Sequence, residues 1–156
     1  MNIYETAARR ISSGRRTARE LLDYLISKGF DREEAAAAVK SFMDDGYIND
    51  AEYAKDYFSY SSSKGWGKRR IFYELEKKGI QQEIVSAEYE LYIDQNGNDD
   101  FDNVQKVIEK MISDDDFDED GRLKEKVRAR LARRLNSYGY SSETIFRKIN
   151  EIKREE

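Results

Sequence analysis

The segment RELLDYLISKGF, 19–30, aligns without a gap on RRIFYELEKKGI, 69–80, placing Leu21 on Ile71, Leu25 on Leu75 and Gly29 on Gly79 at an offset of 50 residues. The offset continues downstream. Ala35 and Val39 match Val85 and Tyr89, Phe42 matches Tyr92, and Ala54, Tyr57 and Phe58 match Val104, Val107 and Ile108. A third copy begins at RARLARRLNSYGY, 128–140, with Leu131, Leu135 and Gly139 sixty residues beyond Ile71, Leu75 and Gly79. The ten extra residues correspond to SDDDFDEDGR, 113–122. Repetition at this period describes units that have little core of their own and gain burial by stacking on their neighbours.

Each unit reads as helices. Over the first 93 residues apolar side chains return every three or four positions, with no strand-like alternation. Thr17 with Glu20, Asp31 with Glu34 and Asn49 with Glu52 have capping-box spacing, and Gly29 and Gly46 stop the first two of these helices. With a short helix over Ile3 to Ile11, about nine helices are expected. The predicted fold is all-α, an elongated array of tandem three-helix repeats, wound in either hand. Its expected parts are an N-terminal helix and lead-in over 1–16, repeat 1 over 17–63, repeat 2 over 64–112, an acidic connecting insertion over 113–122, and a third repeat over 123–156 that reads as two helices.

Composition removes whole classes of chemistry. The 156 residues include no cysteine, histidine or proline. Thiol and imidazole nucleophiles, disulfides and Cys/His zinc sites are therefore excluded. No apolar run approaches the roughly 20 residues of a membrane span, and MNIYETAARR lacks the apolar core of a signal peptide. A cytoplasmic protein without membrane contact is expected.

The formal charge of −4 hides a division. Residues 94–120 carry eleven Asp and Glu against Lys106 and Lys110, a net −9 that leaves +5 for the remaining chain. Basic residues bunch near the start (Arg9, Arg10, Arg15, Arg16, Arg19), around the single tryptophan (Lys64, Lys68, Arg69, Arg70) and at the head of the third copy. A short run of like charges is most simply a solvated helix face; such clusters also suit phosphates or an acidic protein surface. In the third copy, Lys126, Arg130, Arg133 and Arg134 share one side of a helix while Val127, Leu131 and Leu135 face the core. That concentration reads as a binding face.

Two loops stand out. In SSSKGWGKRR, 61–70, Gly65 and Gly67 permit a turn or close approach and hold Trp66 among cations. Trp66 suits stacking on a base, a protein contact, or packing between repeats. The Walker pattern GxxxxGK[ST] is absent. Neither DDDFDEDG, 114–121, nor DQNGNDD, 94–100, satisfies the calcium-loop pattern, so the acidic stretch is expected to be a solvated, mobile connection without a metal. A further reading has it shielding the neighbouring basic helix from polyanions.

The run DDGYINDAEYAKDYFSYSSSKGWGKRRIFYELEKKGI, 44–80, resembles the RecX family, bacterial regulators of the RecA recombinase. It carries the family's Gly-Tyr/Leu-Asp turn, aromatic-bearing helix, Lys-Gly-aromatic-Gly loop and helix ending in Lys-Gly-Ile. Weaker similarity extends to ARELLDYLISKGF, 18–30, and KVRARLARRLNSYGYSSETIFRKI, 126–149. The resemblance implies three-helix repeats, no catalysis and no cofactor. It also implies binding along the groove of a RecA filament on single-stranded DNA, restraining ATP hydrolysis, strand exchange and coprotease activity. Direct contact with single- or double-stranded DNA is a further reading, as is a nucleic-acid-binding module acting without RecA. A carboxylate and metal hydrolase is disfavoured because the acidic residues fall mainly in a loop.

Gly46, Tyr47, Ile48 and Asp50 match the family's helix-to-helix turn; Gly65, Trp66 and Gly67 match its inter-repeat loop; Arg70, Leu75, Gly79 and Ile80 match the following helix and its stop. The candidate partner-binding residues are Lys64, Trp66, Lys68, Arg69, Arg70, Lys126, Arg130, Arg133 and Arg134. The sequence departs from the family pattern at 94–122, where Asp94, Asp99, Asp100 and the acidic run replace a shorter, more basic helix. DNA contact by that helix is accordingly not expected.

Overall fold

A computed structural model describes residues 1–97 and 100–153, with the Phe101 side chain left out. Asn98, Asp99 and residues 154–156, which belong to stretches singled out above, lie outside the described residues. Among the described residues there are nine α-helices and no strand: α1 Ile3–Ser12, α2 Ala18–Ser27, α3 Arg32–Asp44, α4 Asp50–Ser63, α5 Lys68–Lys77, α6 Gln82–Asn96, α7 Asp100–Met111, α8 Glu125–Ser137 and α9 Ser142–Glu151. Helices α1 to α3 pack on one another, as do α7 to α9, and α4 to α6 form the intervening group of three in chain order. This is the period read from the sequence, with each group opening one helix before its glycine-terminated member.

The predicted caps are largely present. Thr17 accepts from the Glu20 amide while Glu20 accepts from the Thr17 amide, a complete capping box, and Asn49 accepts from the Glu52 amide. Asp31 differs, since it accepts from Glu33 two residues on, so α3 has a simple cap. α1 carries a further box, Asn2 with Glu5.

Two compact units form, Met1–Tyr57 with Glu74–Leu91 and Phe58–Tyr73 with Tyr92–Glu156. The first is built on Ile3, Ala7, Leu21, Leu25, Ala35, Ala38, Val39 and Ile48. The second is built on Val104, Val107, Ile108, Leu123, Val127, Leu131, Leu135, Tyr140, Ile145 and Ile149. Among them Leu21, Leu25, Ala35, Val39, Val104, Val107, Ile108, Leu131 and Leu135 are apolar positions matched between copies in the sequence. Emptying one by Leu25→Ala or Leu135→Ala costs about 2–5 kcal/mol, the range for large-to-small core changes.

Within each unit the same junction recurs. In the first, the Thr17 hydroxyl donates to the Lys78 carbonyl at 2.6 Å, and Gly79 lies against Arg19 so closely that an added Cβ would sit 2.4 Å from the Arg19 Cβ. In the second, the Gly67 amide donates to the Tyr138 carbonyl at 2.7 Å and Gly139 lies against Arg70. Both elbow glycines have left-handed φ, +87° and +98°, and both lack room for a side chain. The residue before a glycine-terminated helix thus receives the carbonyl that precedes the next copy's elbow.

The acidic insertion is not a loose connection. Asp114–Asp116 forms one 3-10 turn, Phe117 pairs with Leu123 and Arg122 with Lys153 in isolated bridges, and Leu123 is buried in the second core. Asp118 accepts from the amides of Asp120 and Arg122, and the Lys124 amide donates to the Asp116 carbonyl. Local carboxylate-to-amide hydrogen bonds give the segment a defined path despite its charge.

Candidate functional site: a cationic cleft in the second unit

The loop between α4 and α5 is held at every backbone turn. Lys64 and Trp66 amides donate to the Ser61 carbonyl at 3.0 and 3.1 Å, and the Gly65 amide donates to the Ser62 carbonyl at 3.0 Å. The fully buried Tyr140 donates its phenol hydrogen to the Gly65 carbonyl at 2.7 Å. Gly65 is itself pressed on α7, where an added Cβ would meet Val107 at 2.9 Å. The backbone at Lys64 is thereby held beside α7.

A cleft of about 420 Å³ opens there, lined by Ser62, Ser63, Lys64 and Gly65 from the loop side, Asn103, Lys106, Val107, Lys110 and Met111 from α7, and Arg134 and Tyr138 from α8. Directly adjoining it is a second of about 390 Å³, lined by Lys110, Met111, Arg130, Leu131 and Arg134. The two share Lys110, Met111 and Arg134. No described lining residue of either is acidic. In a chain with more carboxylates than cations, the five cations that line the two clefts make this concavity locally positive.

Lys106, Lys110 and Arg134 have no ion-pair partner among the described residues. Lys64 lies over the Tyr60 ring at 5.3 Å. Arg130 pairs with Asp116 at 3.6 Å. The Ser113 amide, donating to Asp116 at 2.9 Å, and then the Arg130 guanidinium hold the Asp116 carboxyl below the usual aspartate range.

The nine residues singled out in the sequence separate into three groups. Lys64, Arg130 and Arg134 come together at the cleft. Trp66, Lys68, Arg69 and Arg70 serve the junction: Arg70 stacks on Trp66 at 3.9 Å and donates to the Ser137 carbonyl, Arg69 donates through its amide to Gly139 and through its side chain to Tyr140, and Lys68 lies over Phe72. Lys126 and Arg133 are exposed on α8 outside both clefts. On α8, Val127, Leu131 and Leu135 are buried as expected.

Lys106 and Lys110 are masked in the sequence by the −9 segment in which they sit. Helical spacing carries the missing signal: i and i+4 lie on one face, and Asn103 and Val107 share the arc. None of the α7 carboxylates Asp100, Asp102 and Glu109 lines either cleft. Asp100 accepts from the Lys68 amide at the start of α5, and Glu109 accepts from Gln105.

Among the described residues no group of three or more carboxylates is placed to hold a metal, and no helix is long and apolar enough to cross a membrane.

Residues 49–87, comprising α4, α5 and the start of α6, match the family model described as RecX, second three-helix domain. The chain is 30% identical over 154 residues to Regulatory protein RecX of Clostridium beijerinckii, an alignment covering 97% of this chain and 68% of that protein. It is 37% identical over 79 residues to Regulatory protein RecX of Caldanaerobacter subterraneus, covering 51% of this chain but only 40% of the relative's length. The crystal structure of RecX from Lactobacillus salivarius superposes with a TM-score of 0.72 at 22% identity, covering 96% of each chain, which shows a shared fold.

Proposed function

The chain belongs to the RecX family, and we propose that it is a non-catalytic regulator of the RecA recombinase. In this reading it binds the RecA filament formed on single-stranded DNA and restrains ATP hydrolysis, strand exchange and coprotease activity, in the cytoplasm where such filaments form. The observation that carries the choice of surface is the convergence of Lys64, Arg130 and Arg134 with Lys106 and Lys110 on a concavity without lining carboxylates. A nucleoprotein filament presents regularly spaced negative charge. Several modest contacts on one repetitive partner would reinforce one another by raising effective concentration. Lys126 and Arg133 extend the same cationic character along α8.

The test is RecA-dependent ATP hydrolysis on single-stranded DNA with increasing amounts of this protein. Dose-dependent inhibition is expected; undiminished hydrolysis at saturating protein contradicts the reading. A stand-alone nucleic-acid-binding module is the second reading, favoured by the same cationic cleft. Co-sedimentation separates the two. Preference for RecA-coated over bare single-stranded DNA supports the filament, and equal binding supports the module.

A further inference from the structure

We infer that the cleft between the α4–α5 loop, α7 and α8 is a binding site for consecutive phosphate groups, with Lys64, Lys106, Lys110 and Arg134 as its standing cations and Arg130 as a fifth held in reserve by Asp116. The inference deepens the reading above and rests on its choice of surface, but it assigns a ligand chemistry and an internal competitor that the filament reading does not require.

Three observations carry it. The cations come from three elements that the fold brings together, and the loop that supplies Lys64 is fixed by the Tyr140 phenol and by the close approach of Gly65 to Val107. A site whose charges are positioned before the ligand arrives loses less conformational entropy on binding. The cations stand beside the Ser62 hydroxyl, which accepts from Tyr92 and keeps its own hydrogen, and the Asn103 amide, both donors suited to phosphate oxygens. Volume is the second point: about 420 Å³ plus an adjoining 390 Å³ gives room for a chain of phosphates rather than a single anion.

The third observation is the position of Asp116. Arg130 lines the adjoining cleft and is half-exposed, while Asp116, 17% exposed, meets it from the folded acidic insertion. A carboxylate bound to Arg130 occupies the charge that a ligand phosphate would use. Because the Ser113 amide also holds Asp116, the competitor is tethered and its local concentration is high. Only Asp116 of this insertion makes an ion pair among the described residues; Asp118 is engaged with backbone amides.

The test leaves RecA out, so that its failure is distinguishable from failure of the filament reading. Binding of a labelled oligothymidylate is measured against salt for the full chain and for Lys106→Gln/Lys110→Gln, Asp116→Asn, and a charge-matched control in the first unit, Lys40→Gln/Lys55→Gln. Removing two phosphate-binding cations predicts a salt slope shallower by about 1.4 and affinity down about tenfold or more, at ~0.7 per single-strand phosphate. Asp116→Asn, which keeps an acceptor for the Ser113 amide, is expected to bind more tightly and to steepen the slope by about 0.7 as Arg130 is released. The control is expected to bind as the parent does. Inorganic tripolyphosphate and poly-glutamate complete the set as competitors. Displacement by tripolyphosphate at equal phosphate assigns a free phosphate chain as sufficient, and its failure to displace assigns the nucleic-acid backbone. Equal loss in the cleft double and the control, no effect of Asp116→Asn, or displacement by poly-glutamate as effective as by phosphate overturns the inference.

Discussion

The Asp50 carboxylate accepts a hydrogen bond from the Ala18 backbone amide at 2.9 Å, so that the first residue of α4 caps the first residue of α2. Fifty residues on, Asp100 does the same for Lys68, joining the first residues of α7 and α5 at 2.9 and 3.1 Å. Each carboxylate satisfies an amide that a helix leaves orphaned at its start, and its charge complements the positive end of the helix dipole. The carboxylates are thus part of the repeat, whatever the acidity of the segment around them.

Asp50→Ala is expected to cost about 1 kcal/mol, the usual worth of a lost helix cap, measured by urea unfolding at neutral pH. Asp50→Asn separates hydrogen bond from charge. Burial raises the Asp50 pKa, opposed by the Ala18 amide and reinforced by Glu20 nearby. A raised folded-state pKa contributes stability that is present below the unfolded value and lost as pH rises through the folded one. Asn keeps the acceptor without that loss, so its stability relative to the parent should be better at neutral pH than near pH 3. A stability difference that does not change with pH contradicts this account of Asp50.

Asp116 has the opposite sign. Its pKa is lowered by the Ser113 amide and Arg130, so its contribution is present above the unfolded value and lost as pH falls through the folded one. Asp116→Asn should therefore show a smaller loss of stability than the parent on acidification below about pH 4. Amide hydrogen exchange at Ser113 and Lys124 reports the same change locally, and identical acid profiles for both proteins would contradict it.

The elbow glycines allow the packing term to be read by itself. Gly29 and Gly79 have matching left-handed φ, +95° and +87°, but Gly29 has nothing within 4 Å of an added Cβ whereas Gly79 meets Arg19 at 2.4 Å. Gly29→Ala should cost about 1–2 kcal/mol for the backbone alone. Gly79→Ala should cost about 1–3 kcal/mol beyond that for the overlap. Thermal unfolding of the two single variants measures the difference directly.

Tyr140→Phe removes the hydrogen that holds the Gly65 carbonyl while keeping the ring that fills the second core. A loss of about 1–2 kcal/mol in stability is expected from one unmade hydrogen bond. Since that bond also fixes the loop bearing Lys64, the Lys64 and Gly65 amides should exchange faster in the variant than those of α9, which the bond does not touch.

The period, the elbow glycines and the apolar stripes were legible in the sequence because all three are local: each needs only spacing within a helix and a stop after it. Leu21, Leu25, Ile71 and Leu75 are buried where the alignment of copies puts them. The site was legible in part. Arg69 and Arg70 look like surface charge in a run of cations, yet the elbow of the next copy lies against them, a relationship across some seventy residues that no local pattern carries. Lys106 and Lys110 were obscured for the converse reason, since net charge averages a whole segment while a helix separates its faces. The acidic insertion, expected to be mobile, is ordered by hydrogen bonds between Asp side chains and backbone amides two to four residues away, a pattern that composition alone does not display.

The cleft's role is measured most directly by co-sedimentation with RecA-coated single-stranded DNA, comparing the parent with a variant in which Lys106, Lys110, Arg130 and Arg134 are replaced by Gln. All four are exposed, so helix content by circular dichroism should be retained. The folded variant is expected to bind the filament at least about tenfold more weakly and no longer to slow RecA-dependent ATP hydrolysis, because several cations placed to face phosphates or carboxylates are removed together. Full binding and full inhibition by a folded variant would contradict it.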